Sequence, residues 1–366
     1  MTERFIGLMS GTSLDGVDAV LARFAEDGRL DVEAEHCTPY PQDMRDEVLS
    51  LQAVGHDELR REALLANRLA LLYADAVRGL LLKAGKSEGD IIAVACHGQT
   101  IRHAPHQGYT LQSVNLALLA ERCGIDVMGD FRARDVAAGG QGAPLVPAFH
   151  QSVFADATES RVILNIGGIS NLTRLAAGQP VIGFDCGPGN MLMDAWCHQH
   201  TGRRYDVNGE WAASGQLHAG LLRDMLAEDF FLQPPPKSTG RDLFDLPWLV
   251  GKLARHGDVP PADVQCSLLA LTARSIVDAI HGACPDTRSV YVCGGGALNG
   301  ALMAELAAMA PDMRWASTAE LGLPVHQVEA AAFAWLGWRF HHRQPANLPE
   351  VTGASGLRVL GALYPY

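Results

Sequence analysis

The chain has 366 residues, of which 48% are hydrophobic and 19% charged; this is the composition of an ordinary globular protein and excludes a disordered chain. The length exceeds the roughly 100–200 residues of one domain, so two domains are expected. Lys+Arg 29 against Asp+Glu 41 leaves −12, a sign that disfavours a nucleic-acid backbone or an anionic membrane as partner.

The opening apolar run, Phe5 to Met9, is too short for a secretory leader, and no stretch nears the roughly 20 apolar residues of a membrane span. Residues 4–9 predict a strand, Ser10 to Gly16 a turn rich in Gly, Ser, Thr and Asp, and Val17 to Phe24 a second strand. Leucines and valines at helical spacing over 59–83, closed by Gly85, predict a helix. A short buried strand at Ile91 to Cys96 runs into His97-Gly98-Gln99-Thr100, a helix is expected at 113–123, and a strand at Ile125 to Met128 ends at Gly129-Asp130. The second half repeats the opening, with a strand at Arg161 to Ile166, a turn at Gly167-Gly168-Ile169-Ser170-Asn171 and a returning strand at Leu172 to Leu175. A strand from Val181 to Asp185 then leads through Cys186-Gly187-Pro188-Gly189 into a helix from Asn190. Leu232 to Gly240 reads as an exposed loop. Helices near 264–281, from Leu298 and over 328–340 follow, with the strand Ser289 to Cys293 and Gly294-Gly295-Gly296 among them. Two glycine-tipped hairpins, each opening a mixed α/β half, suggest a duplicated fold with a cleft between the halves. Eight cysteines without a C-x-x-C pair fit buried thiols in a reducing cytoplasm.

The first tip, Gly11-Thr12-Ser13-Leu14-Asp15-Gly16-Val17-Asp18, combines unobstructed amides with hydroxyls and carboxylates. Such a turn can wrap a phosphate, and Asp15 can hold Mg²⁺ through water; the alternative is a plain tight turn. Gly167, Gly168 and Asn171 can act likewise from the second half. Gly294, Gly295, Gly296 and Asn299 stand between a strand and a helix, where α/β sheets often meet ligands. No G-x-x-x-x-G-K-[ST] or G-x-G-x-x-G pattern is present, so a nucleotide site would be of neither type. Asp185 ends an apolar strand, where a carboxylate can accept a proton, or cap the following helix. Asp130, Arg132, Arg134 and Asp135 precede Gly139-Gly140-Gln141-Gly142 and suit a polar, carboxylate-bearing ligand, with a solvated charged turn as the alternative. His97 and Gln99 can bond sugar hydroxyls or serve structurally, and Glu329 can be simple first-turn dipole chemistry.

In order, Ile6 to Asp18, Cys96 to Thr100, Gly139 to Pro147, Asn165 to Leu172, Gly183 to Asn190, Lys237 to Arg241 and Gly294 to Asn299 resemble the motifs of the anhydro-N-acetylmuramic acid kinase family over nearly the whole chain. Cys186 departs from them, standing where threonine is more usual. The resemblance implies an α/β fold of two ribonuclease-H-like lobes (the actin-like ATPase fold) around a nucleotide cleft, here expected as residues 1–130 with 341–366, and 131–340. It implies ATP and Mg²⁺ as cofactors, and a cytoplasmic enzyme that hydrolytically opens 1,6-anhydro-N-acetylmuramic acid and phosphorylates O6 during peptidoglycan recycling. It makes Asp185 the catalytic base and Gly11 to Asp18 the phosphate loop. His97, Gln99, Asp130, Arg132, Gln141 and Glu329 are the expected sugar contacts, with Arg132 and Glu329 chosen by position. A homodimer is left open. The competing readings are a glycoside hydrolase built on Asp185 and a second carboxylate, which needs no ATP, and a non-catalytic nucleotide-gated protein, which needs a partner-binding segment.

Overall fold

The computed structural model describes residues 2–11 and 14–366; Thr12 and Ser13, both expected at the phosphate loop, lie outside the described residues. The chain divides into two compact units, Met1–Val153 with Gln327–Tyr366, and Phe154–His326.

The first unit is built on a sheet of β1 (Glu3–Met9), β2 (Gly16–Phe24), β3 (Leu30–Pro39), β4 (Ala93–Cys96), β7 (Val127–Gly129) and β13 (Ala362–Tyr364), in the order β13-β7-β4-β1-β2-β3. A hairpin of β5 (Gln99–Ala104) and β6 (Tyr109–Ser113) stands apart from it. β2 runs antiparallel to both β1 and β3, whereas β4 and β7 run parallel to β1. The central strands are nearly all buried, because helices cover the sheet. The long helix Glu58–Ala84 buries Leu65, Leu69, Tyr73, Val77 and Leu80 against one face and stops at Gly85, whose φ of 62° suits a left-handed cap. The helix Val328–His341 lies on the sheet so closely that a methyl at Gly7 would overlap the Ala330 carbonyl oxygen.

The second unit repeats the plan. β8 (Arg161–Ile166), β9 (Ile169–Leu175), β10 (Ile182–Pro188), β11 (Ser289–Cys293) and β12 (Arg314–Ser317) lie in the order β10-β9-β8-β11-β12. Again three strands are antiparallel, and the last two run parallel to the first of them. This is the ribonuclease-H-like order, present once in each unit. The helix Pro261–Ala283 supplies much of the second core, burying Val264, Leu268, Leu271, Ile276 and Ile280.

The lobe limits drawn from the sequence, 130/131 and 340/341, both fall inside the first unit. Asp135 explains the first difference: its buried carboxylate bonds to Asn347 and Thr352 of the C-terminal segment. The seating of Val328–His341 on Gly7 explains the second. β3 goes unread in the sequence because its residues never become fully buried and alternate only between half-buried and exposed.

Candidate functional site

In the first unit the turn after β1 is closed from within. Leu14 N–H and the Gln99 amide both donate to the Gly11 carbonyl at 3.4 Å. Leu14 has φ 59°, a conformation costing a branched residue about 1–3 kcal/mol, and holds it by burying its side chain in the core. Val17 is buried in the same core. The turn therefore offers a ligand the backbone, not the side chains, of Leu14 and Val17. Gly16 is needed by the fold itself, since a Cβ there would overlap the Thr38 carbonyl oxygen. Asp15 and Asp18 are exposed.

Gln99 is buried and held by hydroxyls. Its Oε1 accepts from Tyr40 OH at 3.2 Å, and that phenol meets Tyr73 OH at 2.8 Å, which in turn meets Ser10 Oγ at 2.6 Å. His97 is also buried and lies against the Phe333 ring, with centroids 4.7 Å apart. Arg132 Nε donates to His97 Nε2 at 3.0 Å, so His97 Nδ1 carries the proton facing the Ser10 carbonyl at 3.2 Å. Burial, and then the Arg132 charge, press the imidazole well below its ordinary value and keep it neutral. Arg132 also donates to the Gly142 carbonyl at 2.9 Å; burial lowers its guanidinium to about 10, and Glu329 opposes the shift. Glu329 is raised by burial and then by the Asp18 carboxylate, against the pull of Arg132. His97, Arg132, Glu329 and Asp18 thus form one electrostatic group. Asp130 begins the next turn at φ 54°, solvent-accessible as a residue yet with its carboxyl partly shielded from water, which raises it while the Ala133 amide opposes the rise. The Gln141 side chain is exposed while its backbone N–H donates to the Thr352 carbonyl at 2.7 Å.

Asp135, grouped in the sequence with Asp130, Arg132 and Arg134 as a ligand contact or a solvated charge, instead organises that loop from a buried position. It is fully buried and accepts from Gly142 N–H at 2.8 Å, Asn347 Nδ2 at 2.8 Å and Thr352 Oγ1 at 2.9 Å. The carbonyl gripped by Arg132 belongs to the same Gly142.

In the second unit Asp185 sits on β10 just before a bulge. Its Oδ2 accepts from Ser238 Oγ and from Thr239 N–H, both at 2.9 Å, while its own N–H donates to the Lys237 carbonyl at 3.0 Å. The following helix begins only at Met191, so Asp185 does not cap it. Burial raises the carboxyl, and the Thr239 and Ser238 bonds partly counter that rise. Lys237 fixes the loop by donating to the carbonyls of Phe230 and Phe231 at 3.1 and 3.3 Å. Cys186, next along the strand, turns into the apolar core. Its departure from threonine therefore leaves the Asp185 side of the strand untouched.

Register places Asp185 opposite Asn171, and Asn171 opposite Asn165. Directly opposed residues share a sheet face, so these three form a polar row across the ends of three strands. Asn165 was missed by the sequence reading. Its signal is an amide one residue from the end of an otherwise apolar strand.

The glycines of this unit divide into two kinds. Gly294 has φ 79° and would set a Cβ 2.8 Å from the Ile166 carbonyl oxygen; Gly296 would overlap the Ile166 side chain. Those two are demanded by packing. Gly167, Gly168 and Gly295 are not. Their φ lies outside the left-handed region, and a Cβ on each would meet nothing nearer than 3.6, 3.8 and 3.7 Å. Bare backbone where the fold would accept alanine marks a surface that something else approaches. Asn299 is engaged as a helix N-cap, accepting from Leu302 N–H at 3.1 Å.

Two lobes of this sheet order, with a half-buried carboxylate at a strand end in one of them, define a duplicated ribonuclease-H-like α/β protein. The chain matches the description "Anhydro-N-acetylmuramic acid kinase" over residues 3–366. It is 64% identical over 366 residues to the anhydro-N-acetylmuramic acid kinase of Chromobacterium violaceum, covering 100% of both chains. It is 54% identical over 362 residues to that of Pseudomonas paraeruginosa, covering 99% of both. Among solved structures it is similar to the activator of the 2-hydroxyisocaproyl-CoA dehydratase from Clostridium difficile, with TM-score 0.47 and 12% identity over 91% of this chain and 93% of that one. The chain belongs to the anhydro-N-acetylmuramic acid kinase family. It is an enzyme, a nucleotide-using kinase of a small molecule. Among the described residues, no helix is long and apolar enough to cross a membrane.

Proposed function

We propose that the enzyme uses ATP and water to convert 1,6-anhydro-N-acetylmuramic acid into N-acetylmuramic acid 6-phosphate and ADP, as a cytoplasmic step of peptidoglycan recycling. The arrangement of Asp185 carries this reading. A carboxylate oriented by Ser238 and Thr239, and raised by burial, is suited to take a proton from water. Water oxygen forms a bond to C1 as its proton passes to Asp185. The C1–O6 bond breaks with its electron pair leaving on O6. That oxygen takes the γ-phosphoryl group, and ADP departs.

In this reading the phosphate contacts come, in the first unit, from the Gly11 to Asp18 loop, whose described backbone is that of Gly11 and Leu14 to Asp18, and, in the second, from Gly167, Gly168, Asn171 and Gly294 to Gly296. Amides already in place cost nothing to reorganise when charge moves onto the phosphoryl oxygens. Asp15, exposed and bearing only oxygen donors, suits Mg²⁺ held through water. Mg²⁺ when bound would neutralise phosphate charge. Arg132 supplies a fixed cation for the lactyl carboxylate, with Glu329, Gln99, His97, Asp130 and Gln141 serving the sugar's polar groups. Neutral His97 matters here, because a second positive charge beside Arg132 would disorder the pair.

Running the reaction in ¹⁸O-water tests the assignment. The label is expected at C1 of the product and absent from the phosphate; product without label at C1 would remove water as nucleophile and Asp185 as its base. ADP release that requires no anhydro sugar would refute the substrate.

A further inference from the structure

We propose that Glu3, His341 and His342 form a binding site for a divalent transition-metal ion of the zinc type, separate from the residues assigned to phosphoryl transfer. One ligand atom from each lies within 4.8 Å of those of the other two. Two imidazoles and one carboxylate are a donor set that zinc favours over magnesium or calcium, which prefer oxygen alone. With bonds of about 2.0–2.2 Å, tetrahedral donors stand roughly 3.2–3.6 Å apart. Closing the cluster from at most 4.8 Å to that spacing takes a shift of about 1–2 Å.

Two further observations point the same way. The carboxylate is already oriented from behind by a group outside the cluster: Trp338 Nε1 donates to Glu3 Oε2 at 3.0 Å, while the contact of His342 Nε2 with the same oxygen, at 2.7 Å, is exchanged for the ion when it binds. The indole is itself locked, stacked on Phe24 with centroids 5.4 Å apart and buried. Metal-binding carboxylates are typically held by such an outer donor, and Glu3 Oε1 remains for the ion. The cluster also opens on a cavity of ≈ 570 Å³ whose wall carries Glu3, His342 and Asp27. Asp27 adds negative charge to that wall, while the Arg339 guanidinium turns to the Pro345 carbonyl at 2.9 Å.

Glu3 begins β1, whereas the Gly11 turn follows its other end, on the order of 20 Å away at about 3.3 Å per strand residue. An ion here would tie the first strand to the last turn of the helix Val328–His341. It would stabilise the fold without entering the reaction.

The test uses the full chain after treatment with chelator, titrated with Co²⁺ and with Zn²⁺. The expected result is one tightly held Co²⁺ per chain with the strong visible absorption of tetrahedral nitrogen and oxygen ligation. Zn²⁺ should displace it and raise Tm. Glu3→Gln should weaken binding at least tenfold, and His341→Ala with His342→Ala should abolish the spectrum while kinase turnover stays at the wild-type level. Should the double variant fail to fold, acylation of His341 and His342 in the wild-type chain, read by mass spectrometry with and without Zn²⁺, decides the matter. Equal Co²⁺ uptake by wild type and double variant, or histidines that Zn²⁺ does not protect, would overturn the site.

Discussion

The contrast between Gly168 and Gly296 makes the sharpest test, because the fold treats them oppositely. At Gly168 a methyl would find its nearest neighbour, Met191 Cβ, at 3.8 Å, with φ outside the left-handed region. Alanine in a compatible conformation stabilises by about 0.4–1 kcal/mol through the unfolded chain. At about 2–4 °C per kcal/mol for a unit of this size, Gly168→Ala should raise Tm by roughly 1–4 °C. The same methyl stands where phosphate oxygens are proposed to approach. Losing one charge-assisted hydrogen bond costs about 1.5–3 kcal/mol, which is about a 10- to 150-fold weaker nucleotide affinity. Gly296→Ala should do the reverse to stability, since its methyl overlaps Ile166 and overpacking costs about 1–3 kcal/mol. Calorimetric titration with ADP, beside thermal melts of both variants, measures the two effects separately. A Gly168→Ala protein that binds ADP as well as wild type would refute the argument that an unneeded glycine marks the phosphate path.

Four further variants, and the pH dependence of the wild type, carry expected outcomes. Asp185→Asn keeps an oxygen for Ser238 and Thr239, so nucleotide affinity should persist while kcat falls by about 10²–10⁴, the usual worth of a general base; ADP binding and turnover measured on one preparation check this. Because the base must be ionised and burial raises its carboxyl, kcat should fall on acidification above the usual carboxylate range. Ser238→Ala removes a bond that lowers this carboxyl and should move that acid limb to higher pH, read from a pH–kcat profile. Arg132→Lys loses the geometry that spans His97 and Gly142 and should raise the sugar's KM about tenfold with little change in that of ATP, read from paired kinetics. Asp135→Asn turns an N–H toward one of three donors and should cost about 1–3 kcal/mol, read as a lower Tm.

The parts of this molecule legible in its sequence are those written locally. The strands Arg161–Ile166 and Ser289–Cys293 match the reading residue for residue, because burial of most of their residues leaves a dense apolar signal. β3 carries no such signal, being an edge strand that presents charge on one side. Asp185 could be picked out by its place at a strand end, yet its partners could not: Ser238 lies 53 positions away, and only the folded loop brings it near. Asp135 was harder still. Its partners Asn347 and Thr352 follow by 212 and 217 positions, and nothing near Asp135 itself distinguishes a loop anchor from a solvated carboxylate. Sequence also could not separate glycines demanded by packing from glycines the fold could do without, since both are simply absent side chains until neighbours are known.

The closeness of Gly7 to the Ala330 carbonyl oxygen reaches beyond packing. Where Gly7 meets Ala330 no side chain separates strand and helix, so the helix cannot come closer or slide at that point without steric collision. Glu329 belongs to the first turn of that helix. The position of an acidic group beside Arg132 is therefore dictated by a residue that contributes no atoms beyond the main chain, and evolution could enlarge position 7 only by relocating that acid.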